Sequence, residues 1–385
     1  MKFTVKREKL QKALQKVSSI IGSRSMLPLL GNVLIEAEEN MLKLCTTDLE
    51  LRLSTELEAE VTEAGITTLP ARKLAQLTAS FTAEDMEFTI DDKDHAKVVC
   101  GTAKFTILGL PAADFPEANT FQTLREVRVE QNKFKRMINS IIYAVSADDS
   151  RKVLTGVLFN IGDARDAAPA ENADQDTMNA SQKLMTLVAT DGKRMALNES
   201  IPASITGDDG KAIIPLKAMS ELRRLLDTEN EVIITFGEKQ CAFVADNFTL
   251  QTKLIDGDYP KYTQVIPKSF NYSLELPVQL LLAKIETVAL MLTVANSFVI
   301  LRFTEGQLEI KASSSEVGEG CDMIEAAYSG EEFEVSFNPT FLADPLRNTD
   351  ADMVRFKFND RFSPIALEAG EGFVCIIMPM RTNNK

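Results

Sequence analysis

The feature that most constrains the fold is an internal repeat, because a pattern that recurs along a chain predicts one structural unit built several times. Three copies open with a short alternating stretch followed by an amphipathic one: FTVKREKLQKALQKVSSII, VRVEQNKFKRMINSIIYAV and YSLELPVQLLLAKIETVALML. In the first copy, Leu10, Leu14, Val17 and Ile21 recur at helical spacing. Each copy is therefore predicted to begin with a strand and a helix.

Strand pairs and a second helix follow in each copy. Period-2 alternation predicts strands in VLIEAEENMLKLCTTDLELRLST, in VLFNIGDAR with LMTLVATDGKRMALNES, and in FVILRFTEGQLEIKASSSEVG. The second helix is indicated by ITTLPARKLAQLTASF, KAIIPLKAMSELRRLLD and FEVSFNPTFLADPLRN, with Pro70, Pro215 and Pro339 near its start. Pro345 should shorten or bend the last of these helices. The predicted fold class is α+β: three repeated domains of about 120 residues, each with two helices on antiparallel sheet.

Two related segments end the first two copies, FTILGLPAADFPEA (105–118, the first exit segment) and TKLIDGDYPKYTQVIPK (252–268, the second exit segment). Each runs from an apolar stretch through a small, acidic turn to an aromatic–proline pair. The second copy is longer because it contains a segment rich in Ala, Asp and Asn, interpreted as an inserted acidic loop at about 162–183. The predicted domains are 1–122, 126–260 and 261–385.

Composition narrows the class of protein. With 385 residues and 45% hydrophobic residues, the chain can bury a sizeable core in two or three domains. A cytoplasmic location is expected, because no apolar run of about 18 residues occurs and MKFTVKREKL lacks a secretory pattern. The five cysteines form no CxxC pair, so we expect reduced cysteines in the core.

The sequence offers little for catalysis. One histidine, His95, is too few for a Ser-His-Asp triad or an HExxH site, and we expect it in a solvated hairpin turn. No GxGxxG follows a strand, and GDDGK is too short for a phosphate-binding loop. Asp256 and Asp258 could together ligate a hard cation, although a turn explains Asp-Gly-Asp equally well. We expect no catalytic residue, no metal and no cofactor.

Charge is distributed unevenly. The net charge is −14, yet residues 1–24 hold seven basic side chains against one acidic, a local charge of +6. Lys9, Lys12 and Lys16 share a helix face. Lysines on a helix face are often merely solvated. Basic residues recur on the helices of the second copy, however, which favours a binding surface. The third copy departs from this pattern, with only Lys284 on its first helix.

The C-terminal FVCIIMPMR either completes the core or offers a methionine-rich surface for varied peptides.

Nine motifs in order carry a resemblance to a known family: MKFTV, LPLLGNVL, TDLE, PARK, LPAADFP, ATDGKRMAL, KLIDGDYPKY, AYSGEEFEV and IIMPMR. From Met1 to Arg381 the chain resembles the bacterial DNA polymerase III beta subunits, the sliding clamps. The resemblance implies a head-to-tail homodimer that encircles duplex DNA without sequence preference and confers processivity, with no enzymatic activity. It also implies, as partners, the replicative polymerase catalytic subunit, an ATP-dependent clamp loader and other replication and repair proteins, and no membrane.

The same resemblance implies three sets of site residues. The DNA-binding positions are Lys9, Lys12, Arg24, Arg72, Lys73, Lys152 and Lys217. The pocket for partner peptides, between domains two and three, comprises Leu154, Thr190, Gly192, Lys193, Arg194, Met195, Pro260, Val265, Ile376, Ile377, Met378, Pro379, Met380 and Arg381. The dimer interface comprises Lys104, Phe105, Ile107, Leu292, Glu316 and Glu319.

The sequence leaves two other classes of function open. An acidic, monomeric scaffold could bind proteins without enclosing DNA, and a metal-dependent enzyme could use the Asp-rich turns. A closed ring would exclude the first, and a metal-stimulated hydrolase activity would reveal the second.

Overall fold

The computed structural model describes residues 1–22, 27–163, 183–293 and 297–381. Internal contacts divide the chain into two compact units. Unit 1 consists of Met1–Asn132, Ala203–Asp208 and Ser220–Leu254, and unit 2 of Lys133–Pro202, Asp209–Met219 and Ile255–Lys385. The second sequence copy contributes strands to both units.

Twenty-six strands are found among the described residues. The first copy has β1 Lys2–Lys6, β2 Asn32–Glu38, β3 Met41–Thr47, β4 Leu51–Glu58, β5 Glu60–Glu63, β6 Gly65–Pro70, β7 Asp85–Ile90, β8 His95–Cys100 and β9 Ala103–Leu108. The second has β10 Arg125–Glu130, β11 Gly156–Asp163, β12 Lys183–Thr190, β13 Arg194–Ser200, β14 Ser204–Gly207, β15 Gly210–Pro215, β16 Glu231–Phe236, β17 Gln240–Ala245 and β18 Phe248–Lys253. The third has β19 Tyr272–Pro277, β20 Val299–Thr304, β21 Gln307–Ser314, β22 Gly318–Glu325, β23 Phe333–Phe337, β24 Met353–Phe358, β25 Ile365–Glu368 and β26 Phe373–Ile377.

Each copy also has two α-helices within the described ranges: α1 Arg7–Val17, α2 Ala71–Ser80, α3 Gln131–Ile141, α4 Leu216–Leu225, α5 Val278–Ala289 and α6 Pro339–Arg347. Every one begins directly after a strand, or one residue later. Pro70 and Pro215 end the preceding strand and Pro339 is the first residue of its helix, positions where a missing N–H costs little. The nine-residue α6 contains Pro345 and is one residue shorter than α2 and α4. The predicted strand–helix pattern is confirmed.

Unit 1 contains two antiparallel sheets. The smaller has the strand order β5-β1-β7-β8-β9, and the larger has β14-β10-β16-β17-β18-β4-β3-β2-β6. The pairing of β18 with β4, with Leu250 opposite Leu53 and Gln251 opposite Arg52, joins the second copy to the first. A sheet therefore continues across the boundary between two repeats.

Unit 2 repeats this arrangement. Its sheets have the orders β15-β11-β12-β13-β26-β25-β24-β19 and β22-β21-β20-β23. Here β13 pairs with β26, with Met195 opposite Ile376 and Leu197 opposite Val374, which joins the second copy to the third. The α+β fold class with antiparallel sheets is confirmed.

The helices pack by the faces that periodicity predicts. In α1, Leu10, Ala13, Leu14 and Val17 are buried, and the helix packs on β4 and α2. Lys9 and Lys12 are exposed, because a helix with apolar residues three and four apart buries a single stripe, whereas Lys16 is half-buried.

Three local predictions need correction. The ends of the predicted insert are strand, since Gly162 pairs with Leu184 and Asp163 with Lys183; positions 164–182 lie outside the described residues. His95 begins β8 instead of lying in the turn before it. Four cysteines are buried, but Cys321, on β22, is exposed. No helix in the described part of the chain combines the length and apolarity needed to cross a membrane.

Candidate functional site

A tight turn between β12 and β13 carries four predicted pocket residues. The Thr190 hydroxyl donates to the Arg194 carbonyl at 2.7 Å and accepts from the Gly192 N–H at 3.1 Å. The Asp191 carboxylate accepts from the N–H groups of Lys193 and Arg194 at 2.8 and 3.0 Å. Gly192 has φ +87°, a left-handed conformation that favours glycine. The turn thus holds Lys193 exposed and directs Arg194 inward.

Arg194 is committed to internal contacts within unit 2. Its guanidinium lies 2.6 Å from the Asp344 carboxylate, 2.6 Å from the Tyr143 carbonyl and 3.2 Å from Asp191. It also stacks 4.5 Å from the Phe341 ring centroid. Because its side chain is only 9% exposed and its donors are engaged, Arg194 supports the fold around this turn and is not available as a binding cation.

A buried apolar cluster lies beside this turn: Leu158, Val188, Met195, Leu197, Ile213, Tyr262, Ala366 and Ile376. Met195 and Ile376, both predicted pocket residues, face each other across the β13–β26 pair. Ile213, Val374 and Tyr262 belong to this cluster or pack against it but were not among the predicted pocket residues. For Val374 a signal existed, since it lies two residues before Ile376 and so faces the same side of the strand.

Exposed apolar side chains follow two segments of the cluster, the turn at Tyr262 and the strand β26. Val265, Met378 and Met380 are exposed by 45%, 41% and 38%. The chain beyond β26 is fixed by its backbone, because the Met378 N–H donates to the Lys193 carbonyl at 3.0 Å and the Met380 N–H to the Ser336 carbonyl at 2.7 Å. Flexible thioethers on a fixed backbone suit apolar ligands of varied shape.

The remaining predicted pocket residues differ in exposure. Leu154 and Ile377 are buried, Pro379 is half-buried, and Pro260 and Arg381 are exposed. The two buried side chains could form only the floor of a pocket, whereas the exposed ones could touch a ligand directly.

The predicted DNA-binding residues lie mainly at helix surfaces. Lys9, Lys12 and Lys73 are exposed in unit 1, as are Lys152 and Lys217 in unit 2. Lys9 forms an exposed ion pair with Glu58 at 2.6 Å. Arg24 lies outside the described residues.

Arg72 has a structural role besides its charge. Its guanidinium donates to the carbonyls of Ile21 and Gly22, both at 3.0 Å. These bonds hold the backbone at Ile21 and Gly22 against the start of α2.

Two basic residues that were left out of the predicted set line a cavity of about 560 Å³ together with Lys9 and Lys12. Lys16 donates to Asn247 at 2.9 Å, and its burial lowers its pKa. Arg224 donates to the Lys16 carbonyl at 2.8 Å and to the Ser19 hydroxyl at 2.7 Å. The sequence places Lys16 on one helix face with Lys9 and Lys12, although it is not among the predicted DNA-binding positions. The closeness of Arg224, on another helix far along the chain, could not be predicted from spacing.

The predicted interface residues lie at two sheet edges. Lys104 and Phe105 are exposed on β9, the last strand of its sheet, whereas Ile107 is buried and could contribute only through its backbone. Glu319 is exposed on the edge strand β22, and Glu316 is exposed just before it.

Leu292, the remaining predicted interface residue, follows α5 and is half-buried. Asp256 and Asp258 are exposed. Within the described ranges, no group of three or more His, Cys, Asp or Glu side chains is placed to hold a metal ion.

Comparison with known proteins extends over the whole chain. The N-terminal, central and C-terminal domain families of the DNA polymerase III beta subunit match residues 1–119, 177–261 and 263–381. The beta sliding clamp of Salmonella typhimurium is 33% identical over 390 residues, covering 99% of this chain and 100% of that protein. That of Chlamydia pneumoniae is 30% identical over 387 residues, with full coverage of both.

Comparison with solved structures leads to the same family. The DnaN sliding clamp of Pseudomonas aeruginosa bound to griselimycin has a TM-score of 0.90 at 29% identity, covering 99% of this chain and 100% of that one. The C. crescentus beta sliding clamp has a TM-score of 0.89 at 28% identity, with 99% and 100% coverage. The chain therefore belongs to the DNA polymerase III beta subunit family and is a three-domain, non-catalytic DNA sliding clamp that serves the polymerase.

Proposed function

We propose that two copies of this chain join head to tail into a ring that encloses duplex DNA and holds the replicative polymerase on it. A 120-residue domain has a radius of gyration of about 14 Å, hence a diameter of roughly 35 Å as a sphere. Six such spheres leave a hole of roughly 35 Å, three leave about 5 Å, and a duplex is roughly 20 Å across. Six domains, and therefore two chains, are needed. The domain bounds proposed for this ring are 1–122, 126–260 and 261–385.

The subunits would meet through β9 of one chain and β22 of the other. Edge strands carry backbone N–H and C=O groups that an added strand can pair with. The apolar side chains Phe105 on β9 and Met323 on β22 are 43% and 54% exposed, which favours coverage by a partner. Lys104 opposite Glu316 or Glu319 would add charge complementarity of small energetic value.

DNA would contact the basic residues of the helices, and only weakly. The proposed contacts are Lys9, Lys12, Arg24, Arg72, Lys73, Lys152 and Lys217. Each phosphate contact contributes about 0.9 to the slope of log affinity against log salt, so a few lysines give salt-sensitive, sequence-blind binding. A ring holds DNA by enclosure, which makes tighter contacts unnecessary. The net charge of −14 would limit adhesion of DNA to other surfaces of the chain.

Partner proteins would insert an extended apolar peptide beside the cluster around Met195 and Ile376. Val265, Met378 and Met380 are accessible there, and the buried cluster gives the site a rigid floor. The polymerase catalytic subunit, an ATP-dependent clamp loader and other replication and repair proteins would compete for it in the cytoplasm, where the DNA is replicated.

The observation that carries the proposal is the threefold strand–helix unit in a clamp-family chain with sheet edges β9 and β22. The test is the length of DNA synthesised in one binding event on a primed circular template, with the source organism's polymerase, loader and ATP. We expect the chain to lengthen the products many-fold. Products of unchanged length, with a loader shown to work on a control clamp, would favour a scaffold that never encloses DNA.

A further inference from the structure

The turn that opens the peptide site is built twice in this chain. In the first copy the Thr47 hydroxyl donates to the Leu51 carbonyl at 2.8 Å and accepts from the Leu49 N–H at 3.1 Å. The Asp48 carboxylate accepts from the N–H groups of Glu50 and Leu51 at 3.0 and 2.7 Å. These are the bonds of the 190–194 turn, and Leu49 has φ +77° where Gly192 has +87°. The two turns therefore correspond residue by residue.

The correspondence extends across the sheet that joins neighbouring copies. When Thr47-Asp48 is aligned with Thr190-Asp191, Arg52 corresponds to Met195 and Ser54 corresponds to Leu197. On the facing strand, Gln251 pairs with Arg52 as Ile376 pairs with Met195. Three positions that are apolar between copies two and three are therefore polar between copies one and two.

Arg52 closes this second face with contacts of its own. Its guanidinium donates to the Pro116 carbonyl at 2.6 Å and lies 5.5 Å from the Phe115 ring centroid. Both partners belong to the first exit segment, which corresponds to the segment carrying Tyr259 and Pro260. The cavity there, about 390 Å³, is lined by Arg52 and Gln251 together with Lys43, Glu36 and Glu56, and its apolar lining includes Leu34, Cys45, Ile66 and Phe115. An apolar side chain entering it would strip water from charged groups without replacing their hydrogen bonds.

We propose that Arg52 is a specificity-determining residue: it excludes apolar partner peptides from the junction of copies one and two, so that each chain offers a single peptide site. The inference rests on the proposed peptide site between copies two and three. It means that a ring of two chains presents two equivalent docking positions instead of four. The polymerase and other partners must then compete for these two positions, partly because peptides are excluded from the junction of copies one and two.

The test counts peptides bound per chain at saturation. The probe is a short fluorescein-labelled peptide rich in leucine and phenylalanine, selected from a random library on the wild-type chain. The variants are the triple substitution Arg52→Met, Ser54→Leu, Gln251→Ile, the single substitution Arg52→Met, and the reciprocal Met195→Arg. Thermal midpoint and sedimentation mass establish that each variant is folded.

We expect one peptide per wild-type chain, two per triple variant, and a second, weaker site in Arg52→Met, which alters only a half-buried side chain. Met195→Arg should weaken binding at least 100-fold. Two peptides per wild-type chain, or one per chain in both folded Arg52 variants, would overturn the inference and leave the original site intact. Undiminished binding to folded Met195→Arg would instead refute the peptide site itself.

Discussion

The Arg194 guanidinium lies 2.6 Å from the Asp344 carboxylate although 150 residues separate them in sequence. Arg194 opens β13 in the second copy and Asp344 lies on α6 in the third. Both side chains are mostly buried, and Arg194 also donates to the Tyr143 carbonyl. The pair thus connects two repeats next to the proposed peptide site.

Removing the Arg194 cation should destabilise unit 2 strongly. Arg194→Met leaves a buried carboxylate and a buried carbonyl without their donor, and breaking such a pair costs about 3 kcal/mol. Urea unfolding measures the loss. The matched control is Glu286→Ala, which breaks an exposed pair with Arg347 and should cost less than about 1 kcal/mol. Equal costs for both variants would contradict the assigned role.

Lys73 should contribute to DNA binding without contributing to stability. Lys73→Ala removes one exposed cation, so the slope of log affinity against log salt should fall by about 0.9 while the thermal midpoint stays unchanged. Fluorescence anisotropy with a short duplex at several salt concentrations measures the slope. Lys97→Ala, an exposed lysine on β8, is the control and should leave the slope unchanged. Identical slopes for Lys73→Ala and wild type would remove Lys73 from the DNA surface.

Met378 and Met380 should bind partner peptides without supporting the fold. Truncating both to alanine removes apolar contacts worth about 1 kcal/mol each, so affinity for a polymerase-derived peptide should fall roughly 30-fold. Titration calorimetry measures the affinity. Met353→Ala, a methionine of similar exposure on β24, should have no effect on binding. A loss of affinity in the control, or none in the double variant, would move the site elsewhere.

Glu199 should make stability depend on pH. Burial of the carboxyl raises its pKa from 4.5 to about 7. A hydrogen bond from Thr186 has the opposite, smaller effect and lowers the pKa. Because the folded chain holds this proton more tightly, the stabilisation is complete below pH 4.5 and is lost as the pH rises through 7.

Glu199→Gln should abolish this dependence. The variant should match wild type near pH 4.5 and, since Glu199 is only partly buried, exceed its free energy of unfolding by about 2 kcal/mol at pH 8. Urea unfolding from pH 4.5 to 8 compares the two. A constant difference between wild type and variant at all pH values would show that the carboxyl does not titrate in this range.

Periodicity was sufficient to predict the strands, helices and threefold repeat, because burial of one face is encoded by residues three, four or two apart. Leu10, Leu14, Val17 and Ile21 are buried as their spacing predicts. The exposure of Cys321 could not be predicted, because it follows from the position of β22 at a sheet edge, which depends on pairing and not on the strand's own residues.

The candidate site was predictable in part. Met195 and Ile376 lie in one cluster, and a family resemblance supplied both positions. The buried hydrogen bonds of the Arg194 side chain could not be predicted, since its partners Tyr143 and Asp344 are distant in sequence. The role proposed for Arg52 likewise depends on strand register, which places it opposite Gln251, and on its hydrogen bond to the Pro116 carbonyl.

The most direct test of the account is retention of the loaded chain on nicked circular plasmid after a high-salt wash, with half of the sample linearised before the wash. Enclosure predicts that the chain stays on circles and leaves linear DNA, because salt weakens phosphate contacts but cannot open a ring. Equal loss from circular and linear DNA, with a loader shown to load a control clamp that stays on circles, would contradict topological binding.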